Sequence, residues 1–489
     1  MIRDEDDHIE NSDGVLIENQ VPRSNTIGSI QNGDNAPVQK ESTASTIKYM
    51  FWVFCVCFAL AGVQFVYSIQ FALGTPLFKQ KFKLTPSTIS IIQSTAGPIS
   101  GFIIQPIIGV YSDASTSRFG RRRPFILFGS LFCIVGLLSI AFSPQIGVAL
   151  GDHADGEFAS DHKAGLIIAI AGFWIMNLSV NIMQGPTRSL VSDIIEGDKQ
   201  HLGNSMAVNT MGFASILANI IGSFFSNNSE SYRDLFLIGA GFVALSVVPT
   251  LIAAKEVQQE DKGTKPKSPI DVFVKIGKGF STMPKELAII SVVFFVSWFG
   301  FSPFMVSETD YFGTNVFPSD YSKGIQFGFY AQACFSASSF FFSFFLSKFV
   351  SIFGEKFIYS FTQLTAGACL ILFLVFDHPP VWLAMLLTTV VGVNFCVFNS
   401  IPYALMVNVI SKSDAGLYMG VLNSSAVVSQ TISIFTSGRV EAAKNQDTAW
   451  AIAYGGLFAL VGGVIAWFLP IKKKQAEKVN SNEKTPLLA

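Results

Sequence analysis

Four hydrogen-bonding side chains stand in register inside one apolar stretch: Asn177, Asn181, Gln184 and Arg188. On a helix turning about 100° per residue, their spacing places them within roughly 60° of arc. The other faces of the stretch are Phe, Ile, Leu, Met and Val. A cation inside a bilayer costs at least about 2.5–3.5 kcal/mol unless it is paired or hydrated. Such a face must therefore border a wet cavity or another polar helix. Arg188 is near one end of the stretch with Asp193 just beyond, so the same sequence also allows its side chain to reach the membrane surface.

Two acids, Glu308 and Asp310, close another apolar run and are candidate proton carriers or plain loop acids. Gln64 and Asn423 are further polar residues in apolar runs, candidates for a cavity lining or for hydrogen bonds between helices. Trp174 and Trp298 could stack on a ligand ring or simply pack. A short basic loop reads Arg118-Phe119-Gly120-Arg121-Arg122-Arg123-Pro124, with Asp113 close before it. These arginines can pair with Asp113 and with helix C-terminal carbonyls, forming a latch between conformations, or can anchor on lipid headgroups. The six cysteines lie in apolar runs without metal-ligand spacing, which suits reduced thiols serving as small hydrophobes. The five histidines are scattered through tails and loops, and no catalytic triad, metal cluster or phosphate-cradling loop is visible, so an enzyme is not expected.

The elements that must position these residues are membrane helices. Half of the 489 residues are hydrophobic and only 14% are charged, with a mean hydropathy of +0.46. Soluble domains carry about a quarter charged residues. Twelve runs are long enough to cross the hydrocarbon core: 47–73, 87–111, 124–143, 164–190, 204–225, 234–254, 285–306, 324–347, 357–376, 379–409, 416–436 and 449–470. With both termini cytoplasmic, about 24 of the 33 Lys and Arg fall on the inner side and about 8 on the outer, leaving Arg188 inside a span. The expected organisation is a disordered cytoplasmic tail over 1–46, a six-helix half over 47–254, a Lys-rich cytoplasmic loop over 255–284, a second six-helix half over 285–470 and a cytoplasmic tail over 471–489. No cleavable leader precedes the first run. The central loop contains a stretch, 270–280, that suits an amphipathic helix or a solvated linker. A sequon at Asn227 falls in an outer loop. A Phe-Gly turn followed by a basic residue and Phe-Ile occurs after the second run and again after the eighth, as in the internal repeats of secondary transporters.

The basic loop resembles the signature of the major facilitator superfamily. In detail the chain is similar to the sucrose/proton symporters of plants and their animal and fungal relatives, of the glycoside-pentoside-hexuronide cation symporter type. The motifs that carry the resemblance are Ala61-Gly62-Val63-Gln64-Phe65 with Thr75-Pro76, Gly97-Pro98 with Gln105-Pro106, Gln184-Gly185-Pro186 with Arg188, Glu308-Thr309-Asp310, Ile401-Pro402-Tyr403-Ala404 and Met419-Gly420-Val421-Leu422-Asn423. They cover both halves, from about 50 to 470.

The resemblance implies an all-α membrane transporter of twelve helices that moves a sugar by alternating access. It implies sugar binding by the matching arginine, Arg188. A sugar's hydroxyls suit the amides of Asn177, Asn181, Gln184, Gln64 and Asn423. The plant symporters carry an aspartate, the implied proton group, where this chain has Asn177. Coupling to protons here would need another acid, Asp310 matching the family's motif better than Glu308. The alternatives are a facilitator without ion coupling, or a transporter-like sensor or organelle homeostasis protein. No cofactor is expected beyond a coupling proton, and the partners are a small-molecule sugar and the lipid bilayer rather than nucleic acid. Glu483, Leu487 and Leu488 resemble a dileucine sorting signal read by an adaptor, which leaves the plasma membrane and endolysosomal or vacuolar membranes as destinations.

Overall fold

A helix satisfies its own backbone hydrogen bonds, which hydrocarbon cannot do for it. Each of the twelve apolar runs accordingly falls on a helix in this computed structural model. It describes residues 43–153, 158–195, 200–225, 231–256, 268–376, 378–410 and 415–470. The described residues from Ile47 onward form one compact unit, and Thr43–Thr46 fall outside it.

The first run is α1 (Thr43–Cys57) and α2 (Ala59–Pro76), bent by 48° at their junction and prolonged by a π-type turn to Lys81. The second is α3 (Pro86–Ser94) and α4 (Ser100–Asp113), joined through a π-type turn that contains Pro98. Then follow α5 (Arg123–Ala141), the short α6 (Ser143–Ala149), α7 (Lys163–Ile194), α8 (Gln200–Phe225) and α9 (Ser231–Ala253). The central segment carries α10 (Pro269–Ser281), the amphipathic helix of the two readings left open for it. The remainder is α11 (Lys285–Tyr311), α12 (Tyr321–Phe353), α13 (Glu355–Val375), α14 (Val381–Val409), α15 (Ala415–Ala443) and α16 (Thr448–Ile465). Among the described residues ten helices are long and apolar enough to cross a membrane, or eleven if the bent first pair counts as one. The helix α15 is as long as its neighbours but rich in serine and threonine, and is not among the ten.

Local chemistry sets the helix ends. Thr85 caps α3 ahead of Pro86, Asp320 caps α12 through the Lys323 amide at 3.0 Å, and Asp447 caps α16 through the Ala449 amide at 3.0 Å. Gly354, at φ +81°, turns the chain from α12 into α13.

Two large buried apolar clusters, with a small third one of Val53, Val56, Cys57, Val191 and Ile195, fill the compact unit. One draws on residues 59–254 with Ile325 and Phe329 from α12. The other draws on residues 276–469. Glycines let helices approach within each: Gly136 lies against Gly172 and Met176 across α5 and α7, and Gly300 lies against Gly455 and Ala459 across α11 and α16. Phe128, Leu131, Phe132 and Val135 on α5, and Phe341, Phe344, Phe345 and Ile352 on α12, are exposed on the outside, as lipid contact requires. Between the clusters, Ser68 of α2, Ser215 of α8 and Ser336 of α12 form a hydroxyl chain with steps of 2.9 and 3.0 Å.

Candidate transport site

The polar face of α7 divides in two. Asn177 and Asn181 are buried, and their amides bond to neighbouring helices. Asn177 Oδ1 accepts from Gln70 Nε2 of α2 at 3.0 Å, and its Nδ2 donates to the Phe173 carbonyl at 2.8 Å. Asn181 Nδ2 donates to Ser100 Oγ of α4 at 3.0 Å and to the Asn177 carbonyl at 2.9 Å. Gln105 Nε2 bridges Asn181 Oδ1 at 2.7 Å and Gln184 Oε1 at 2.8 Å. In this conformation these amides join α7 to α2 and α4. Sequence spacing identified the face, but Gln70, Ser100 and Gln105, which occupy it, lie on other helices.

Beyond them the face opens. Gln184 is half-buried, and Arg188 is exposed rather than sealed inside the span. Its guanidinium acts electrostatically on the phenol groups of Tyr67 on α2 and Tyr403 on α14. Arg188 is therefore within electrostatic reach of one half-buried tyrosine from each half of the chain. Gln64 is half-buried one helical turn before Tyr67, and Asn423 is exposed on α15. Trp298 packs among Phe294, Phe301, Phe395 and Phe398, with ring centroids 5.3–6.3 Å away, and Trp174 packs on the first cluster. Both are placed as packing residues.

At the opposite end of the seam the chain is closed by charge. The helix α11 runs on to Tyr311, past the expected end at 306, so Glu308 and Asp310 are helical and buried, not loop acids. Asp310 Oδ2 meets Lys79 Nζ of the first span at 2.6 Å, and Tyr321 donates to Oδ1 at 2.6 Å. Glu441 of α15 lies 3.6 Å from the same ammonium. Thr75 Oγ1 donates to the Val306 carbonyl across the same seam. Glu308 points elsewhere: its Oε2 accepts from Gln332 Nε2 at 2.9 Å and Thr309 Oγ1 at 3.3 Å, and the Thr388 hydroxyl lies beside its carboxyl. Lys79 and Glu441 were missed because each lies just past an apolar run, where sequence reads a loop charge.

Among the described residues the basic loop meets two acids. Arg121 and Arg122 both reach Asp193 at the end of α7, at 2.6 and 3.0 Å. Glu256, after α9, accepts from the backbone amides of Arg122 and Arg123 at 3.0 Å. Arg118 lies over the Phe119 ring at 4.9 Å. The side chain of Asp113 lies outside the described residues, as do Asn227, the 1–46 tail before Thr43, and Glu483, Leu487 and Leu488. Among the described residues no group of His, Cys, Asp or Glu could hold a metal ion.

Comparison with known proteins decides the family. The model of the family described as MFS/sugar transport protein matches residues 61–473. The chain belongs to that family. This transporter is not an enzyme, and it is a multi-pass membrane protein. Sucrose transport protein SUT5 of Oryza sativa subsp. indica is 25% identical over 486 residues, covering 88% of this chain and 90% of its own. Sucrose transport protein SUC4 of Arabidopsis thaliana is 27% identical over 450 residues, covering 83% and 87%. Among solved structures, the crystal structure of a D-xylose-proton symporter superposes with a TM-score of 0.63 at 13% identity, covering 86% of this chain and 98% of that one. The inward open conformation of the xylose transporter XylE from E. coli gives 0.63 at 13% identity, covering 88% and 98%. These two likenesses establish the shared fold.

Proposed function

We propose that this transporter carries sucrose or a related disaccharide or glycoside by alternating access, in symport with a proton. One observation supports this most. The seam is shut at one end by Lys79 and Asp310 while Arg188, beside Tyr67 and Tyr403, is exposed on the other side. A site between two helix bundles that is reached from one face at a time is what alternating access requires. Planar guanidinium donors and tyrosine hydroxyls suit sugar hydroxyls, and the relatives named above are sucrose transport proteins. By the distribution of Lys and Arg, the basic-loop end is cytoplasmic, which makes this conformation inward-facing. Residues 483–488 would direct the protein to endolysosomal or vacuolar membranes.

The proton is assigned to an acid of α11, since Asn177 cannot take one up near neutral pH. The deciding experiment is uptake by proteoliposomes across labelled mono- and disaccharides, with and without a proton gradient. Disaccharide uptake stimulated by an inward proton gradient is expected. Arg188→Ala should abolish uptake while leaving the amount of folded protein unchanged, and normal uptake by that variant would sink the assignment of the sugar site. Asn177 favours one other reading, an uncoupled facilitator, whose transport would be indifferent to pH and protonophore.

A further inference from the structure

The closed end of the seam has more acid than base. Lys79, on the turn that ends the first span, faces Asp310 of α11 at 2.6 Å and Glu441 of α15 at 3.6 Å. Asp310 and Glu441 are almost wholly buried, and the Lys79 side chain is 12% exposed. One ammonium against two carboxylates leaves one negative charge in excess in a place with little access to water.

The other groups facing the cluster are neutral donors. Tyr321 of α12 donates to Asp310 Oδ1 at 2.6 Å. Thr448, at the start of α16, lies 2.9 Å from Asp310 Oδ2 and 3.3 Å from Glu441 Oε1. Its single hydroxyl proton can serve only one of the two acids at a time. Tyr232 of α9 lies within the field of Asp310, and Gln80 lies beside the Tyr321 hydroxyl. The nearby Asp447 is engaged by the Ala449 amide and by Asn315 Nδ2 at 2.8 Å. One added proton on a carboxylate oxygen would make the cluster neutral and supply the donor that a single threonine cannot.

We propose that Asp310 and Glu441 share one exchangeable proton that lets the two bundles close on Lys79, making Glu441 a proton-coupling residue of this transporter. Lys79 belongs to the first span and both acids to the second cluster's helices, so opening at this end separates them. Water then reaches each acid. A proton from that side binds one carboxylate oxygen, and closure follows because the buried group is neutral. A cavity of about 20 Å³ borders Glu441, Gln93, Thr75, Ser90 and Ser437. It has room for one water, which gives the proton a polar neighbour to leave by.

The inference deepens the symport reading and rests on it, so two measurements are needed. The first compares gradient-driven accumulation with sugar counterflow in proteoliposomes holding the full chain. Glu441→Gln should reduce acid-stimulated accumulation at least tenfold more than it reduces counterflow, and Glu441→Asp should restore part of the pH dependence. Acid stimulation in Glu441→Gln equal to wild type overturns the proposal and leaves symport standing. The second follows hydrogen–deuterium exchange over residues 436–443, corrected for the intrinsic pH dependence of exchange. Wild type should become more protected as pH falls, and Glu441→Gln should be protected at every pH. Protection independent of pH in wild type overturns the proposal even if sugar uptake is proton-driven. Acid-dependent protection without proton-driven uptake retires symport and retains the proton site.

Discussion

Asn177 shows how a single residue is read differently by position and by contact. By resemblance its place in α7 is that of a proton-carrying acid, yet its amide accepts from Gln70 and donates to the Phe173 carbonyl. Asn177→Asp would set a carboxylate oxygen against that carbonyl in a fully buried place. It should destabilise the protein at neutral pH by about 1–3 kcal/mol, the usual penalty for a buried polar group left unpaired. Acid pH should restore part of the loss, because a protonated carboxyl can donate where the amide did. Thermal unfolding in detergent across pH checks this, and a variant as stable as wild type at every pH would show that the Phe173 bond contributes nothing. The same residue marks a limit of sequence reading. Spacing put Asn177 and Asn181 on the face of Arg188, but whether a face meets ligand or another helix depends on what the chain brings opposite it. Here that is Gln70, Ser100 and Gln105, which lie 107, 81 and 76 residues earlier than the amides they meet.

At the scale of elements, helix ends are governed by a few polar contacts. The start of α7 is held by Asp152, whose carboxylate accepts from the Gly165 amide at 2.7 Å and the Ala164 amide at 3.0 Å. The Gly165 bond first, with the Ala164 bond and the nearby His162 and His153, holds its carboxyl below the usual range against the opposing effect of burial. A carboxyl lowered in the folded state stabilises above its ordinary value and loses that contribution as pH falls through the lowered one. Protection of the Ala164 and Gly165 amides should therefore be level near neutral pH and decline only in strong acid, and Asp152→Asn should remove that acid transition. In the basic loop, Gly120 sits at φ +96° with Glu256 packed where a Cβ would be. Gly120→Ala should cost about 1–3 kcal/mol of strain and loosen the loop from Glu256, read as a lower melting temperature and faster proteolysis between α4 and α5. The helices themselves were legible because apolar length is local. Their ends were less so: α11 continues past 306 because Glu308 and Asp310 find Gln332, Lys79 and Tyr321, partners invisible in a window of sequence.

The whole molecule is asymmetric about its seam. Ser90 of α3 is packed against Gly438 of α15 at the Lys79 end, whereas Ala404, next to Tyr403, is exposed. A polar thiol reagent should modify Ala404→Cys from the basic-loop side and leave Ser90→Cys untouched in the same conformation. Equal labelling of both would show that the seam is not shut. The two acids that the basic loop meets among the described residues, Asp193 at the end of α7 and Glu256 after α9, both belong to the first half of the chain. The loop fastens the ends of three helices together in this state.

The amino-acid sequence by itself determined that this is a polytopic helical membrane protein, which helices it contains, and that Arg188 is the cation left inside one of them. Those properties follow from apolar length, from the absence of water to satisfy a backbone in lipid, and from the segregation of charge. Only the tertiary structure decided that Arg188 is exposed and within electrostatic reach of Tyr67 and Tyr403, that the amides of Asn177 and Asn181 bond to other helices, and that Lys79, Asp310 and Glu441 meet. Lys79 and Glu441 are more than 350 residues apart, and no local pattern encodes a contact of that span. It exists because the packing of α3 on α15 and of the first span on α11 brings two loop-like charges to one buried place, where an unbalanced charge acquires a consequence that it lacks in water.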